Sequence, residues 1–252
     1  MERITSRKNP LLVQIRKLTS SRAARREGGL FVGEGPKLLE EALRHGAEVT
    51  AVVAEEGGSR SCPDGARQVE VPADVLQSLS DTQSPQGVLF LCRMPDTVPP
   101  EQLEGSRYLV LDGLQDPGTV GTIWRTADAL GADGVLLVNS CADPWSPKTV
   151  RATMGACFRL PVWECGPEEL SALLERSGLP LYATALRADT VDVREADLRR
   201  AAVVIGSEGR GISDTLLAMS RQAVKIPMRE RCESLNAAAA ATVILWEMAR
   251  QN

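Results

Sequence analysis

The sequence predicts an α/β protein whose C-terminal part holds a mainly parallel sheet with helices on both faces. Short runs of β-branched and aliphatic residues alternate with amphipathic stretches of helical length through the second half of the chain. Proline begins and glycine follows one such helix, at Pro167 and Gly178. The chain has 252 residues, which is enough for two domains that each bury a core.

Composition narrows the class of protein. Hydrophobic residues make up 43% of the chain and charged residues 25%, as in folded globular proteins. No run of about eighteen apolar residues occurs, and the first ten residues lack the apolar centre of a signal peptide. We therefore expect a cytoplasmic protein with no membrane partner. Six cysteines without a CxxC pair and the single histidine, His45, offer no zinc set, so we expect reduced cysteines and no metal.

The N-terminal segment is basic although the chain as a whole is acidic. The formal net charge is −4, but residues 1–26 contain eight lysines and arginines and only one acid, Glu2. Such a cluster is either a solvated helix face or a contact surface for RNA. The segment alone does not separate these two interpretations.

Residues 1–92 predict this basic arm and a small α/β domain. Leu11 to Leu18 have the spacing of a short amphipathic helix, and residues 19–29 predict a mobile basic loop. Glu34, in a predicted turn between two glycines, is interpreted as a carboxylate that holds the turn before the next helix. The other expected elements are strands at 30–32, 49–54, 69–71 and 88–92 and helices at 36–46 and 73–79.

A linker and a second domain follow. Residues 93–105 contain three prolines and little that can pack, which is typical of a linker. Residues 106–252 alternate between strand and helix patterns, which favours a parallel sheet covered on both faces. Strands are expected at 108–111, 135–138, 160–163, 181–185, 203–205 and 223–226, and helices at 121–130, 150–155, 167–177 and from 234 onward.

The stretch from Val203 to Asn236 contains a glycine-rich loop that is either a tight turn after a strand or one wall of a ligand site. A predicted strand ends at Ile205 in a loop with glycines at 206, 209 and 211, and a second strand is stopped by Pro227. Ligands bind at the carboxyl ends of strands in open α/β sheets, and a helix start supplies free N–H groups. The glycine order is GxxGxG and no GK[ST] follows, so an NAD-dependent oxidoreductase is a disfavoured alternative.

Three segments carry a family resemblance. They are LDGLQDPGTVGTIWRTA at 111–127, IGSEGRGIS at 205–213, and IPM at 226–228 followed by ESLNAAAAA at 233–241. In this order they resemble the motifs of the SpoU branch of the SPOUT RNA ribose methyltransferases. FVGEGPKLLEEAL and LSDTQSPQGVLFL resemble the family's N-terminal substrate-binding domain, which is similar to ribosomal protein L30e.

The resemblance implies a fold and an activity. It implies a deep trefoil knot near the C-terminus and a homodimer formed through the knotted domain. It further implies S-adenosylmethionine as cofactor and 2′-O-ribose methylation of structured RNA, ribosomal or transfer. The stripe on the last helix suits a dimer contact; its members are Leu235, Ala238, Ala239, Thr242, Leu245, Trp246 and Ala249.

The resemblance also assigns site residues. The matched catalytic positions are Arg125, Glu208, Asn236, Ser234 and Thr119. The matched cofactor positions are Gly206, Glu208, Ile226, Leu235 and Ser234. In the family the arginine positions the RNA phosphate and activates the hydroxyl. Because a guanidinium stays protonated, we favour electrostatic alignment over proton abstraction. We expect the three loops to form one cleft with Arg125 at its mouth.

Two positions leave alternatives open. Thr119 stands where the family usually has asparagine, and threonine lacks the amide's second donor. A non-catalytic RNA-binding relative that keeps the fold is therefore an alternative. Arg151 lies in another family-like segment, where a phosphate contact and a structural ion pair are equally expected.

Overall fold

The structure is a computed structural model that describes residues 2–58, 61–185, 187, 189–229, 231–232 and 234–251. Glu233, in the third motif, and the terminal Asn252 lie outside the described residues. The chain divides into two compact units. The first comprises Met1–Pro95 and Asp143–Phe158, and the second comprises Asp96–Ala142 and Arg159–Asn252. Residues 143–158, expected within the C-terminal domain, thus belong to the first unit.

The first unit contains a mixed five-stranded sheet. Its strands are β1 (Glu2–Arg3), β2 (Leu30–Glu34), β3 (Val49–Glu55), β4 (Arg67–Val71) and β5 (Val88–Arg93), in the order β1-β4-β3-β5-β2. Its helices include α1 (Pro10–Ser20), α2 (Arg22–Gly28), α3 (Pro36–Arg44) and α4 (Ala73–Gln77). The first three strands of that order are parallel, whereas β5 runs antiparallel to both neighbours. The predicted small α/β domain is therefore present.

The predicted mobile loop at residues 19–29 is wrong, because most of it forms α2. The Ser21 side chain accepts a hydrogen bond from the Ala24 amide at 3.2 Å, and Gly29 ends the helix with φ of 60°. Arg25 is 4% exposed, and its guanidinium pairs with Asp143 at 2.6 Å. A basic side chain is thus buried where a solvated one was expected.

The N-terminal segment is part of the fold rather than a free arm. Strand β1 pairs with β4, and Leu12 and Ile15 of α1 are fully buried. Arg3 and Arg7 form salt bridges with acids of the first unit at 2.6 and 2.7 Å. Only part of the positive charge of this segment therefore remains available to a partner.

Glu34 ends β2 and holds a loop of the first unit. Its carboxylate accepts hydrogen bonds from the hydroxyls of Ser80 and Thr82 at 2.9 and 3.0 Å and from the Gln86 amide at 3.4 Å. Glu34 is therefore a structural carboxylate as predicted, but the segment it holds is the loop at residues 80–86 and not the turn before α3. The predicted turn is shorter than expected, because residues 33 and 34 complete the strand.

The second unit contains a seven-stranded sheet in which every pair of strands is parallel. Its strands are β6 (Arg107–Asp112), β7 (Gly134–Val138), β8 (Val162–Glu164), β9 (Leu181–Thr184), β10 (Val191–Asp192), β11 (Ala201–Gly206) and β12 (Gln222–Lys225). Their order is β10-β12-β9-β11-β6-β7-β8. The predicted parallel sheet is confirmed.

The remaining helices follow in chain order. They are α5 (Pro117–Ala129), α6 (Pro147–Thr153), α7 (Pro167–Ser177), α8 (Asp214–Met219) and α9 (Ala237–Arg250), with single 3-10 turns at Ala156–Phe158 and Val193–Glu195. Helix α6 lies in the segment that belongs to the first unit. Helix α5 begins earlier than predicted, because Pro117 and Gly118 form its first turn.

Helices cover both faces of the second sheet. Tyr108 and Val110 of β6 belong to a core cluster with the leucines of α7, whereas Leu109 and Leu111 alternate with them and are also buried. On the other face α5 packs against α9, and α9 against β11. Successive residues of a strand point to opposite faces of the sheet, and in this sheet the side chains on both faces are buried. The trefoil knot stays a prediction.

No helix among the described residues is long and apolar enough to cross a membrane.

Candidate active site

Two cavities lie at the carboxyl ends of the second sheet's strands. The first, called here the apolar cavity, has a volume of about 310 Å³ and lies at the ends of β9, β11 and β12 and the start of α9. It is lined by residues 184–185, 205–208, 211–212, 217, 224–226, 228, 234–235, 237 and 240. Cavities of this size and polarity hold drug-sized and cofactor-sized molecules.

The segment 206–211, called here the glycine loop, forms one wall of the apolar cavity. Its two ends are joined by hydrogen bonds from the Ser207 amide to the Gly211 carbonyl at 3.1 Å and from the Gly211 amide to the Ser207 carbonyl at 2.8 Å. A Cβ atom on Gly206 would lie 2.3 Å from the Gly211 carbonyl carbon. Only glycine therefore permits this closed loop at position 206.

The start of α9 is tied to the glycine loop. Asn236 caps the helix, since its side-chain oxygen accepts from the Ala238 amide at 3.0 Å. Its side-chain nitrogen donates to the Glu208 carboxylate at 2.5 Å. Ser234 and Leu235 line the apolar cavity just before this cap, and Ile226 lines it from the end of β12. The structure thus brings together all the residues assigned to the cofactor.

A second space, called here the polar cavity, adjoins the first. Its volume is about 940 Å³, and it is lined by residues 112–116, 119, 139–140, 207–211, 213, 215 and 237. Ser207, Glu208, Gly211 and Ala237 line both cavities. Thr119 lines the polar cavity, and its amide and hydroxyl donate to the Asp116 carboxylate at 2.7 and 3.1 Å. The threonine hydroxyl is therefore bonded to the same carboxylate that caps α5.

Comparison with known proteins assigns the chain to a family. A model described as the SpoU rRNA Methylase family matches residues 106–246. The chain belongs to the SpoU rRNA methylase family. Residues 9–89 match a model described as the MRM3-like substrate binding domain.

Related proteins of this SpoU family are similar over almost their whole length. The chain is 31% identical to the 23S rRNA (guanosine(2553)-2′-O)-methyltransferase of Bacillus subtilis, with 98% of this chain and 99% of that protein covered. It is 33% identical to the 23S rRNA (uridine(2479)-2′-O)-methyltransferase of Streptomyces viridochromogenes, with 99% and 92% covered. The crystal structure of an AdoMet-bound rRNA methyltransferase from Sinorhizobium meliloti has a TM-score of 0.88 at 32% identity, with 99% of this chain and 97% of that chain covered. These comparisons confirm the predicted enzyme class, an S-adenosylmethionine-dependent RNA 2′-O-methyltransferase.

Arg125 is not part of either cavity of this SpoU chain. It lies on the exposed side of α5, and neither cavity is lined by it. Its guanidinium has no hydrogen-bond or salt-bridge partner within the described part of the chain. The structure therefore does not place Arg125 at the mouth of the cleft formed by its own chain. Its catalytic role stays a prediction.

Arg151 belongs to the first unit. Its guanidinium pairs with the Asp81 carboxylate of the same unit at 2.8 Å. The structure thus contains the ion pair that was one of the two expectations for this residue.

Three residues of the site were missed by sequence reasoning. The buried Asp112 carboxylate, at the end of β6, accepts a hydrogen bond from the Asn139 side chain at 2.7 Å and from the Ser213 amide at 2.6 Å. Asn139 has a φ of 54° just after β7, and asparagine adopts this conformation more readily than most residues. A carboxylate and an amide that directly follow two apolar strands were the available signal.

The thiol next to the polar cavity is not suited to nucleophilic chemistry. Cys141 is 5% exposed, and burial raises the pKa of its thiol to about 11. A thiol with this pKa holds its proton at neutral pH.

Within the described residues there is also no group of three His, Cys, Asp or Glu side chains that could hold a metal ion.

Proposed function

We propose that this enzyme methylates a ribose 2′-hydroxyl in ribosomal RNA, with the cofactor in the apolar cavity and the target nucleotide in the polar cavity. The observation that carries the proposal is the shared wall between the two cavities. A methyl transfer requires the methyl donor and the accepting oxygen to meet in line. Two adjoining spaces of different polarity, separated by one loop, suit that requirement.

The residues of the apolar cavity fit S-adenosylmethionine. Side chains of Ile205, Ile226 and Leu235 offer an apolar surface for an adenine ring. The Glu208 carboxylate, held by Asn236, offers an acceptor for the cofactor's ammonium group. When bound, S-adenosylmethionine supplies a methyl group on a positively charged sulfur.

The protein's contribution to the reaction is alignment. In such a transfer the 2′-oxygen would bond to the methyl carbon as the carbon–sulfur bond breaks and the hydroxyl proton leaves to solvent, and the chain's residues would hold the oxygen in line with the methyl group. A cationic side chain near the oxygen stabilises the negative charge that develops there. We assign that role to the guanidinium of Arg125. Correct positioning of two reactants supplies on the order of 7 kcal/mol or more.

Ribosomal RNA is favoured over transfer RNA by the substrates of the two relatives named above, which act on 23S rRNA. Because one acts on a guanosine and the other on a uridine, they leave the base open. The test is transfer of tritium from labelled S-adenosylmethionine to ribosomal RNA and to transfer RNA, followed by mapping of 2′-O-methylated positions. Binding of RNA without tritium transfer would favour the non-catalytic alternative. Transfer to transfer RNA alone would refute the ribosomal assignment.

The polar cavity is tested by filling it. Thr215 is exposed on α8 and lines this cavity but not the apolar one, so Thr215→Trp should block the nucleotide and leave the cofactor site intact. We expect methyl transfer to fall at least about tenfold, with cofactor affinity unchanged within about threefold. The matched control is Ala218→Trp on the exposed side of the same helix, because Ala218 lines neither cavity. Equal activity of the two variants would place the nucleotide elsewhere.

The position of Arg125 outside the cavities of its own chain favours a homodimer. Trp246 and Val243 on α9 are 62% and 38% exposed, which is unusual for large apolar side chains on one helix face. Helix α9 packs against α5, which carries Arg125, a residue without a side-chain partner among the described residues. We therefore propose that two copies pack through these helices, and that Arg125 of one copy serves the site of the other. In a two-fold symmetric dimer both sites are completed in the same way.

Mixed dimers test this arrangement. Chains with Arg125→Ala and chains with the cofactor-site substitution Gly206→Ala are co-expressed with different tags and purified through both tags. The dimers are assayed at an S-adenosylmethionine concentration near the wild-type Kd, at which the weakened Gly206→Ala site stays almost empty. If Arg125 acts across the dimer, one site of two is complete, and activity should be about half of wild type. The mirror control pairs a chain carrying both substitutions with a wild-type chain, and this dimer should be nearly inactive. The opposite pattern would show that Arg125 acts within its own chain.

Two further assignments belong to this proposal. We place the enzyme in the cytoplasm, with support from its six free cysteines, which suit a reducing compartment. Lys8 and Lys17, exposed on the N-terminal segment, are assigned as phosphate contacts. Their replacement by glutamine should reduce the salt dependence of RNA binding.

A further inference from the structure

The buried carboxylate of Asp112 links the end of β6 to the residue after β7 and to the N-cap of α8. It terminates β6, and its two oxygens accept from the Asn139 side chain after β7 at 2.7 Å and from the Ser213 amide after β11 at 2.6 Å. The Asn139 nitrogen also donates to the Ser213 hydroxyl at 3.2 Å. Asp112, Asn139 and Ser213 thus form a closed set of contacts in the wall of the polar cavity.

The contact with Ser213 fixes one end of the glycine loop. The other end begins at Gly206, which is held in the sheet by pairing with β6. Ser213 follows the loop by two residues and is the N-cap of α8, so the hydrogen bond of its amide to Asp112 anchors the chain just after Gly211. The hydrogen bond between Asp112 and Ser213 therefore sets the distance between the glycine loop and the segment that contains Asp116 and Thr119.

No cationic side chain among the described residues neutralises the charge of the Asp112 carboxylate. The residue is 3% exposed and has no cationic partner among the residues that the structure describes. Removing a carboxylate from water without a cation opposes folding, and neutral side chains of similar shape are usually easier to bury. What a carboxylate provides here, and an amide does not, is two acceptor oxygens for two donors on different segments of the chain.

We propose that Asp112 is a positioning residue, which holds the glycine loop at the distance that methyl transfer between the two cavities requires. This rests on the proposed function of the cavities. Ile226 and Leu235 of the cofactor site lie on other segments, so a displaced loop weakens alignment more than cofactor binding. Displacement of a reacting group by about 1 Å lowers rates by as much as 100-fold.

The test exchanges the side chains of Asp112 and Asn139. Asn139→Asp places two carboxylates against each other, and we expect kcat to fall at least about tenfold while the Kd for S-adenosylmethionine changes less than about threefold. Adding Asp112→Asn reverses the pair: the amide at 112 accepts from Ser213 and donates to the carboxylate at 139. The double variant should therefore recover kcat to within about threefold of wild type.

Asp133→Asn is the matched control. The Asp133 carboxylate also accepts two hydrogen bonds, from the amides of Ser106 and Arg107 at 2.8 Å each, but at the opposite end of β6. Asp133 lines neither cavity. The Asp133→Asn substitution should therefore lower the melting temperature of the protein without changing its kcat. If Asp133→Asn lost as much kcat as Asn139→Asp, or if the double variant did not recover kcat, Asp112 would only stabilise the fold.

A second measurement does not depend on turnover. Amide hydrogen exchange of residues 207–213 should be faster in Asn139→Asp than in wild type and return to the wild-type rate in the double variant. Unchanged exchange would overturn the proposal even if no RNA were methylated. If exchange responds as expected but wild-type enzyme transfers no methyl group to RNA, the positioning contact stands and the proposed function fails.

Discussion

Replacement of Gly206 by alanine should weaken cofactor binding without unfolding the protein. The new Cβ would lie 2.3 and 2.5 Å from the carbonyl carbon and oxygen of Gly211 and 2.6 Å from the Ile212 nitrogen. All three are backbone atoms, so no side chain can rotate away. Carbon atoms approach each other to about 3.5 Å, so the loop must move outward by about 1 Å.

The cost of that movement follows from the contacts it breaks. The two hydrogen bonds that close the loop, at 3.1 and 2.8 Å, join Ser207 and Gly211. At about 1 kcal/mol each, their loss amounts to about 2 kcal/mol. The closed loop forms a wall of the apolar cavity, so cofactor binding requires the loop to close. In the variant, closing the loop costs this free energy, and the free energy of cofactor binding falls by the same amount. The Kd should rise about 30-fold.

Titration calorimetry with S-adenosylmethionine measures this change, and Gly209→Ala is the control. Gly209 belongs to the same loop, but a Cβ there meets no atom within 4 Å, and its backbone does not need a positive φ. We expect its Kd to stay within about threefold of wild type. Wild-type affinity of Gly206→Ala, or an equal loss in Gly209→Ala, would refute the assignment of the closed loop to the cofactor site.

Two further substitutions test the dimer face and a strained position. Trp246→Glu should weaken dimerisation by about 30-fold or more in sedimentation experiments, because it places a charge in the proposed interface. Val98→Glu, at a side chain that is 65% exposed elsewhere in the second unit, should leave the dimer intact. Met154→Gly should raise the free energy of unfolding by about 1 kcal/mol in urea, because Met154 has φ of 50° and is 52% exposed. Lower stability would show that the methionine side chain makes a needed contact.

Local patterns explain why most elements could be predicted. Helix α7 has the predicted bounds at both ends, since Pro167 begins it and Gly178 follows it. The strands of the second sheet are apolar runs with the side-chain period that burial on both faces requires. Cap residues such as Asn236 act within four residues of their partners, so the sequence shows them directly.

Elements that depend on distant partners were predicted poorly. Helix α2 is short and rich in arginine, and local signals indicated a loop. Arg25 is buried because it meets Asp143, which is 118 residues away in the sequence. The contact between Asp112 and Ser213 spans 101 residues, and it was missed for the same reason.

The sequence by itself determined the α/β class, most of the strands and helices along the chain, and the family to which the three motifs point. Only the tertiary structure decided which strand ends are neighbours, that Glu208 and Asn236 bond to each other, and that Arg125 lies outside the cavities of its own chain. The physical reason is range. Propensity and periodicity act over a few residues, whereas strand order depends on packing between segments that are distant in the sequence, such as β6 and β11.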